Sequence, residues 1–250
     1  WAAVRPQSLV MRFIHVGLWS LLTVALVFSY TRAAWLSLVA AGAVYLVFAW
    51  RISARQIAGI VLLVLGGLWV TQDQWMRFFT KNDTVSSDNF SEHIQSASNI
   101  STDASNLERL NRWASALRMW QDRPHTGWGL GTYQFQYAPF QHSSQLTIIS
   151  TNGGDLGNAH SEYIGPLAEL GWPGLLWVVL LIAVVYRTGA RAYVRMPEGS
   201  DRTLVLLAML GLTTYWVHGV LNNFLDMDKG AVLVWMSAAL IAWAGRRTAQ

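Results

Sequence analysis

The stretch IGPLAELGWPGLLWVVLLIAVVY, Ile164–Tyr186, decides the class of the fold. A membrane-spanning helix needs about 20 mostly apolar residues, and this run meets that requirement. Five further stretches read the same way: Phe13–Tyr30, Ala33–Trp50, Gln56–Thr71, Thr203–Leu221 and Gly230–Ala244. The six fall into two groups of three, separated by a polar region over 72–163. The expectation is an all-α polytopic membrane protein. Residues 1–71 would carry three transmembrane helices, 72–163 a large and partly helical insert, and 164–250 three more helices.

Composition supports this class and excludes others. Of 250 residues, 53% are hydrophobic and 13% charged, whereas soluble domains carry about 25% charged residues. So little charge argues against a soluble globular enzyme, and so much apolar content against disorder. The mean hydropathy of +0.29 is modest because the polar insert dilutes the apolar stretches. The net charge is +4, but no basic cluster suits nucleic acid, which is not expected as a partner. The absence of cysteine rules out disulfides, thiol catalysis and Cys-ligated metal. The chain opens on Trp1 with no signal-peptide layout, and is expected to be the C-terminal part of something longer.

Basic residues orient membrane proteins, because Lys and Arg are retained on the cytoplasmic side. Arg5, Arg12, Arg51, Arg55, Arg187, Arg191, Arg195, Arg202, Arg246 and Arg247 all fall at alternate ends of the six stretches. The insert carries six basic residues against nine acidic ones, a net of −3. The insert is therefore expected on the outer side and the ten arginines in the cytoplasm. Trp and Tyr at the stretch ends, such as Tyr30, Trp50, Trp69 and Tyr186, suit an interfacial belt.

Within the insert, Asn82–Ser105 is rich in Ser, Asn, Asp and Thr and reads as a loop. Asn106–Gln121 has helical spacing: Leu107, Leu110, Trp113, Ala114, Leu117 and Trp120 form one apolar stripe expected to be buried. Arg109 borders that stripe, Arg112 lies further toward the polar side, and Arg118 is nearly opposite Arg109. On the residues alone, Arg109 suits either a cation facing a cleft or a snorkelling stem. The helix should end at Asp122-Arg123-Pro124, followed by Gly127, Gly129 and Gly131 in a loop that is neither a dinucleotide fingerprint nor a P-loop. At the mouth of the fourth stretch lies Asn158-Ala159-His160-Ser161-Glu162-Tyr163. His160 there suits a general base near neutral pH, or else belongs to a capping cluster with Asn158 and Ser161. Arg32 is a permanent cation between the first two stretches, fit for a phosphate group or for anchoring to head groups. No His pair has zinc-ligand spacing, and neither metal nor cofactor is expected.

Two ordered sets of residues carry a resemblance. One is Arg109-x-x-x-Trp113 followed by Ala116-Leu117-x-Met119-Trp120-x-Asp122-Arg123-Pro124-x-x-Gly127-x-Gly129-x-Gly131-Thr132-Tyr133. The other is Asn158-Ala159-His160-Ser161-Glu162-Tyr163 with Leu167-Ala168-Glu169-Leu170-Gly171-Trp172-Pro173-Gly174-Leu175. Both resemble the O-antigen ligase/polymerase family of bacterial membrane glycosyltransferases, and Thr31-Arg32-Ala33-Ala34 is similar to that family's Ser-Arg-Gly/Ala element. The resemblance implies a GT-C-like inner-membrane protein with its main loop in the periplasm. It implies metal-independent, inverting transfer of a glycan from undecaprenyl diphosphate to lipid A–core, a growing glycan or a protein hydroxyl. By the same resemblance Arg32 and Arg109 would hold the diphosphate and His160 would be the base; Arg112 and Glu162 are expected as further substrate contacts. A transporter, flippase-like protein or assembly subunit of polysaccharide export is the competing class. Such transporters place ionisable residues near the bilayer midplane, and the central turns of these stretches carry none.

Overall fold

The structure, a computed structural model, describes residues 9–29, 31–71, 107–151 and 157–249, with the side chains of Arg32, Ala54, Val64, Leu65 and Leu68 left aside. The loop expected at Asn82–Ser105 lies outside the described residues. Every regular element among them is helical. In chain order these are α1 (Leu9–Phe28), α2 (Arg32–Ala49), α3 (Ala54–Val70), α4 (107–122), α5 (Tyr133–Gln136), α6 (Ile164–Leu170), α7 (Trp172–Arg195), α8 (Ser200–His218) and α9 (Asp228–Arg247). Short 3-10 turns cover Ala138–Phe140 and Ser143–Gln145.

Two units can be distinguished by their internal contacts: 1–44 with 107–250, and 45–106. In the second, α3 begins with a capping box: Ser53 and Gln56 bond reciprocally, the Ser53 N–H donating to Gln56 Oε1 at 2.8 Å. Such reciprocal bonds satisfy amides that an emerging helix leaves open.

In the first unit, α7, α8 and α9 pack on one another. Their shared core is small and apolar: Val178 and Ala192 from α7, Val205, Met209 and Leu212 from α8, Val234, Ile241 and Ala244 from α9. The Tyr186 hydroxyl shares a hydrogen bond with Thr213 Oγ1 at 2.7 Å across α7 and α8. Outward faces stay apolar, as with Leu176, Val179, Val184, Leu207, Val232 and Met236. Helices with apolar residues both inside and on their outward faces follow the pattern of segments solvated by lipid. α1 buries no residue at all. Two described helices, Leu9–Phe28 and Trp172–Arg195, are long and apolar enough to cross a membrane.

The structure revises two expectations. The stretch read as one span from Ile164 to Tyr186 is two helices, α6 and α7, and the second runs on to Arg195. The break falls at Gly171, whose φ of 70° ends α6 and leaves Pro173 in the first turn of α7, where a missing N–H costs nothing. In α4, half of the stripe faces out: Leu107, Leu110 and Leu117 are 55%, 56% and 40% exposed, whereas Trp113, Ala114 and Trp120 are half-buried. The buried face is Glu108, Asn111, Arg112, Ser115, Ala116 and Met119. A period of 3.6 identifies two faces but not which one is covered, and here the covering loop brings polar partners.

Candidate functional site

α4 packs on the segment 128–168 through Ala116, Met119, Tyr133, Tyr137, Ala159 and Ala168, with Trp128, Phe140 and Ile164 around them. Tyr133 and Tyr137 stack at 5.3 Å between ring centroids, and the Tyr133 hydroxyl donates to the Arg112 carbonyl at 2.8 Å. The Gly-rich loop turns its amides toward the protein. It docks on the α6–α7 junction: the Gly129 N–H donates to the Glu169 carbonyl at 2.8 Å, and the Gly131 and Tyr133 amides donate to the Glu169 carboxylate at 2.9 Å each. In return the Trp172 N–H donates to the Pro124 carbonyl at 2.9 Å. Gly127 and Gly171 both have positive φ, 62° and 70°, and a Cβ on either would lie 2.2 Å and 2.4 Å from the opposing backbone. Only glycine permits both the left-handed geometry and that approach.

This docking delivers the chain to His160. Its φ of 48° lies in the left-handed region, costly for a residue with a Cβ and therefore held by its surroundings. The His160 N–H donates to Asn158 Oδ1 at 3.1 Å, and its carbonyl accepts from Trp113 Nε1 at 3.4 Å. Ser161 Oγ accepts from the Tyr163 and Ile164 amides, so Asn158 and Ser161 both bond backbone amides of this segment, whereas the N-cap position of α6 is Tyr163. Burial, then the Arg109 charge, then the Arg112 charge hold the His160 imidazole below its ordinary pKa, with Glu108 opposing weakly. Such a ring is neutral near pH 7 and able to accept a proton.

The remaining expected residues fall at different distances from that chemistry. Arg109 is half-buried, and its charge is felt by His160 and by His218 at the end of α8. Arg112 is buried and already engaged: its Nε donates to Glu108 at 2.6 Å, its Nη2 to Thr151 Oγ1 at 2.8 Å, and its guanidinium lies 4.1 Å over the Tyr137 ring. Burial alone would raise the Glu108 carboxyl, but hydrogen bonds from Ser150, Arg112 and Thr147 and the Arg112 charge outweigh it and hold it below the usual range. Glu162 is 6% exposed. Its Oε1 accepts from the Tyr215 hydroxyl, from the Phe224 N–H at 2.6 Å and from the Leu225 N–H at 2.9 Å. Its own N–H donates to the Gly219 carbonyl at 2.8 Å. Glu162 thus fastens the α8–α9 connection to the His160 segment.

Arg32 opens α2, and its side chain lies outside the described atoms. Asp155 lies outside the described residues. His125 Nδ1 accepts from Trp172 Nε1 at 2.8 Å, which ties that ring to the α7 start. His218 was not singled out by the sequence. It lies inside an apolar stretch, and only the fold brings it under the charge of Arg109.

A cavity of about 590 Å³ opens between α2, α8 and α9. Ala34, Ser37 and Leu38 line it from the first turns of α2, and Leu212, Tyr215 and His218 from α8, with Phe224 from the connection that Glu162 fastens. The arginines at the opposite end of the α7–α9 bundle, Arg195, Arg202, Arg246 and Arg247, lie far along the helix axes from this site. Residues 17–179 match the family model described as O-antigen ligase. No curated protein matches the chain.

Proposed function

The chain belongs to the O-antigen ligase family of membrane glycosyltransferases, and from that premise we propose that it transfers a glycan from undecaprenyl diphosphate to an acceptor hydroxyl on the periplasmic face of the inner membrane, with inversion at the sugar. The observation that carries this reading is the half-buried His160 at the mouth of α6, within reach of the Arg109 charge and held, by burial first and then by that charge, below its ordinary pKa. A hydroxyl is a poor nucleophile until a base takes its proton, and a diphosphate leaves more readily against guanidinium charge.

In this mechanism the acceptor hydroxyl gives its proton to His160 as its oxygen bonds to C1 of the donor sugar. The bond from C1 to the diphosphate oxygen breaks, and the electron pair leaves with the diphosphate, which Arg109 and Arg32 stabilise. Arg112 and Glu162 serve the substrate by holding the surfaces that meet it, Arg112 between α4 and the loop at Thr151 and Glu162 between the His160 segment and the α8–α9 connection. The acceptor is lipid A–core, a growing glycan or a protein hydroxyl, and the same donor chemistry serves each. The proposed topology has six crossings, with the described part of the insert outside and the ten-arginine face in the cytoplasm.

The test is transfer by the purified chain from a defined undecaprenyl-diphosphate-linked glycan to each acceptor class. A His160→Ala variant is expected to lose about two to four decades of rate while still binding donor. Donor binding with no transfer to any acceptor by the unaltered chain would sink the enzymatic reading.

A further inference from the structure

A second histidine, His218, ends α8. Among the described residues its ring nitrogens take part in no hydrogen bond, whereas its ring edge packs on Phe224 at 5.3 Å between centroids. It is half-buried and lines the cavity into which the first turns of α2 also face. It lies within the electrostatic reach of Arg109, as His160 does. Two elements distant in sequence therefore meet at this cavity, the start of α2 and the end of α8 with His218, and the Arg109 charge from α4 reaches the same histidine. The backbone on either side of the His218–Phe224 pair is also held in place. The Gly219 carbonyl, next in the chain, accepts from the Glu162 N–H, and the Phe224 N–H donates to the Glu162 carboxylate. The other described histidines lack this setting: His125 is bonded to Trp172, His142 is exposed in a loop, and His15 lies in α1.

We propose that His218 is a second histidine of the same site, donating a ring N–H hydrogen bond to the donor's diphosphate beside Arg109; this rests on the glycan-transfer reading above. An imidazole carries a donor in either protonation state, so the contact adds to the arginine without depending on a proton transfer. In the transfer step His160 receives the acceptor proton, the C1–oxygen bond to diphosphate breaks, and the electron pair stays on the diphosphate. His218 neither gains nor loses a proton. Its bond grows stronger as negative charge collects on the departing oxygen, which is the kind of contact that favours the transition state over the ground state.

Inorganic pyrophosphate tests this without requiring catalysis. Its affinity for the purified full chain in lipid nanodiscs is measured by titration calorimetry, for the unaltered protein, His218→Phe, His218→Gln and Arg109→Ala. His218→Phe keeps a ring against Phe224 but loses the donor, and His218→Gln keeps a donor at similar reach. Expected is binding by the unaltered chain, about tenfold weaker binding in His218→Phe, as for one hydrogen bond to a charged group, near-normal binding in His218→Gln, and weakened binding in Arg109→Ala. Equal affinity in His218→Phe and the unaltered chain, with Arg109→Ala weakened, overturns the role of His218 and leaves the diphosphate reading standing. Equal loss in the Phe and Gln variants also overturns it, because shape alone would then explain the residue. No pyrophosphate binding by the unaltered chain overturns both.

Discussion

Replacing Glu162 separates a residue that touches substrate from one that builds the site. The carboxylate is 6% exposed and one oxygen takes three donors, the Tyr215 hydroxyl and the Phe224 and Leu225 amides. Glu162→Ala leaves those three donors without their acceptor. Each buried polar group so orphaned costs about 1–3 kcal/mol, so the sum is about 3–6 kcal/mol after partial relaxation, against a net stability of about 5–15 kcal/mol for a typical domain. Glu162→Gln keeps an acceptor oxygen at the same reach and should cost about 1–2 kcal/mol, the difference between a charged and a neutral acceptor. His160 lies two residues upstream, so loss of the clamp also shifts the base, and misplacement by about 1 Å can cost about 100-fold in rate. The assay is thermal unfolding of the detergent-purified chain together with KM and kcat for a defined lipid-linked donor. The Ala variant is expected to melt about 10 °C lower or more and to lose kcat. The Gln variant is expected to keep its KM. A Gln variant with unaltered melting and a tenfold higher donor KM would refute the clamp and make Glu162 a direct substrate contact.

The pH profile of kcat/KM should show an acid limb whose midpoint lies below 6.5, because burial and the Arg109 and Arg112 charges depress His160 and protonation removes the base. Arg109→Gln removes one of those charges, so its limb should move to higher pH, and His160→Ala should lack the limb. The same depressed pKa contributes stability that is present above the unfolded value near 6.5 and is lost as pH falls through the folded value. Gly171→Ala should cost about 2–5 kcal/mol in urea unfolding: about 1–2 for a left-handed residue, and the rest for a Cβ 2.4 Å from the Pro124 carbonyl oxygen; a loss under 1 kcal/mol would show that the junction opens freely. Because the chain has no cysteine, an impermeant thiol reagent can map topology. Leu130→Cys should label from outside and Arg51→Cys and Arg191→Cys should not, and the reverse pattern would overturn the six-crossing proposal.

Composition and periodicity by themselves determined that this chain is helical and lipid-solvated, since apolar length and charge depletion are properties of a segment and need no partner. The ordered motifs around Arg109, Gly127 and His160 likewise pointed to the family without coordinates. Which face of α4 is buried was beyond a sequence pattern. Leu107 and Leu110 look like core until the loop at 141–151 supplies hydroxyls and amides for Glu108, Asn111 and Arg112. The glycines were visible as a motif, but their purpose is a close approach to the backbone at 169 and 124. His218 was invisible for the same reason: a lone histidine in an apolar helix carries no pattern. Only tertiary structure decides that it ends α8 beside Phe224, under the charge of an arginine more than a hundred residues earlier in the chain. Local sequence fixes what one segment prefers, whereas charge and contact across space depend on how the segments fold together.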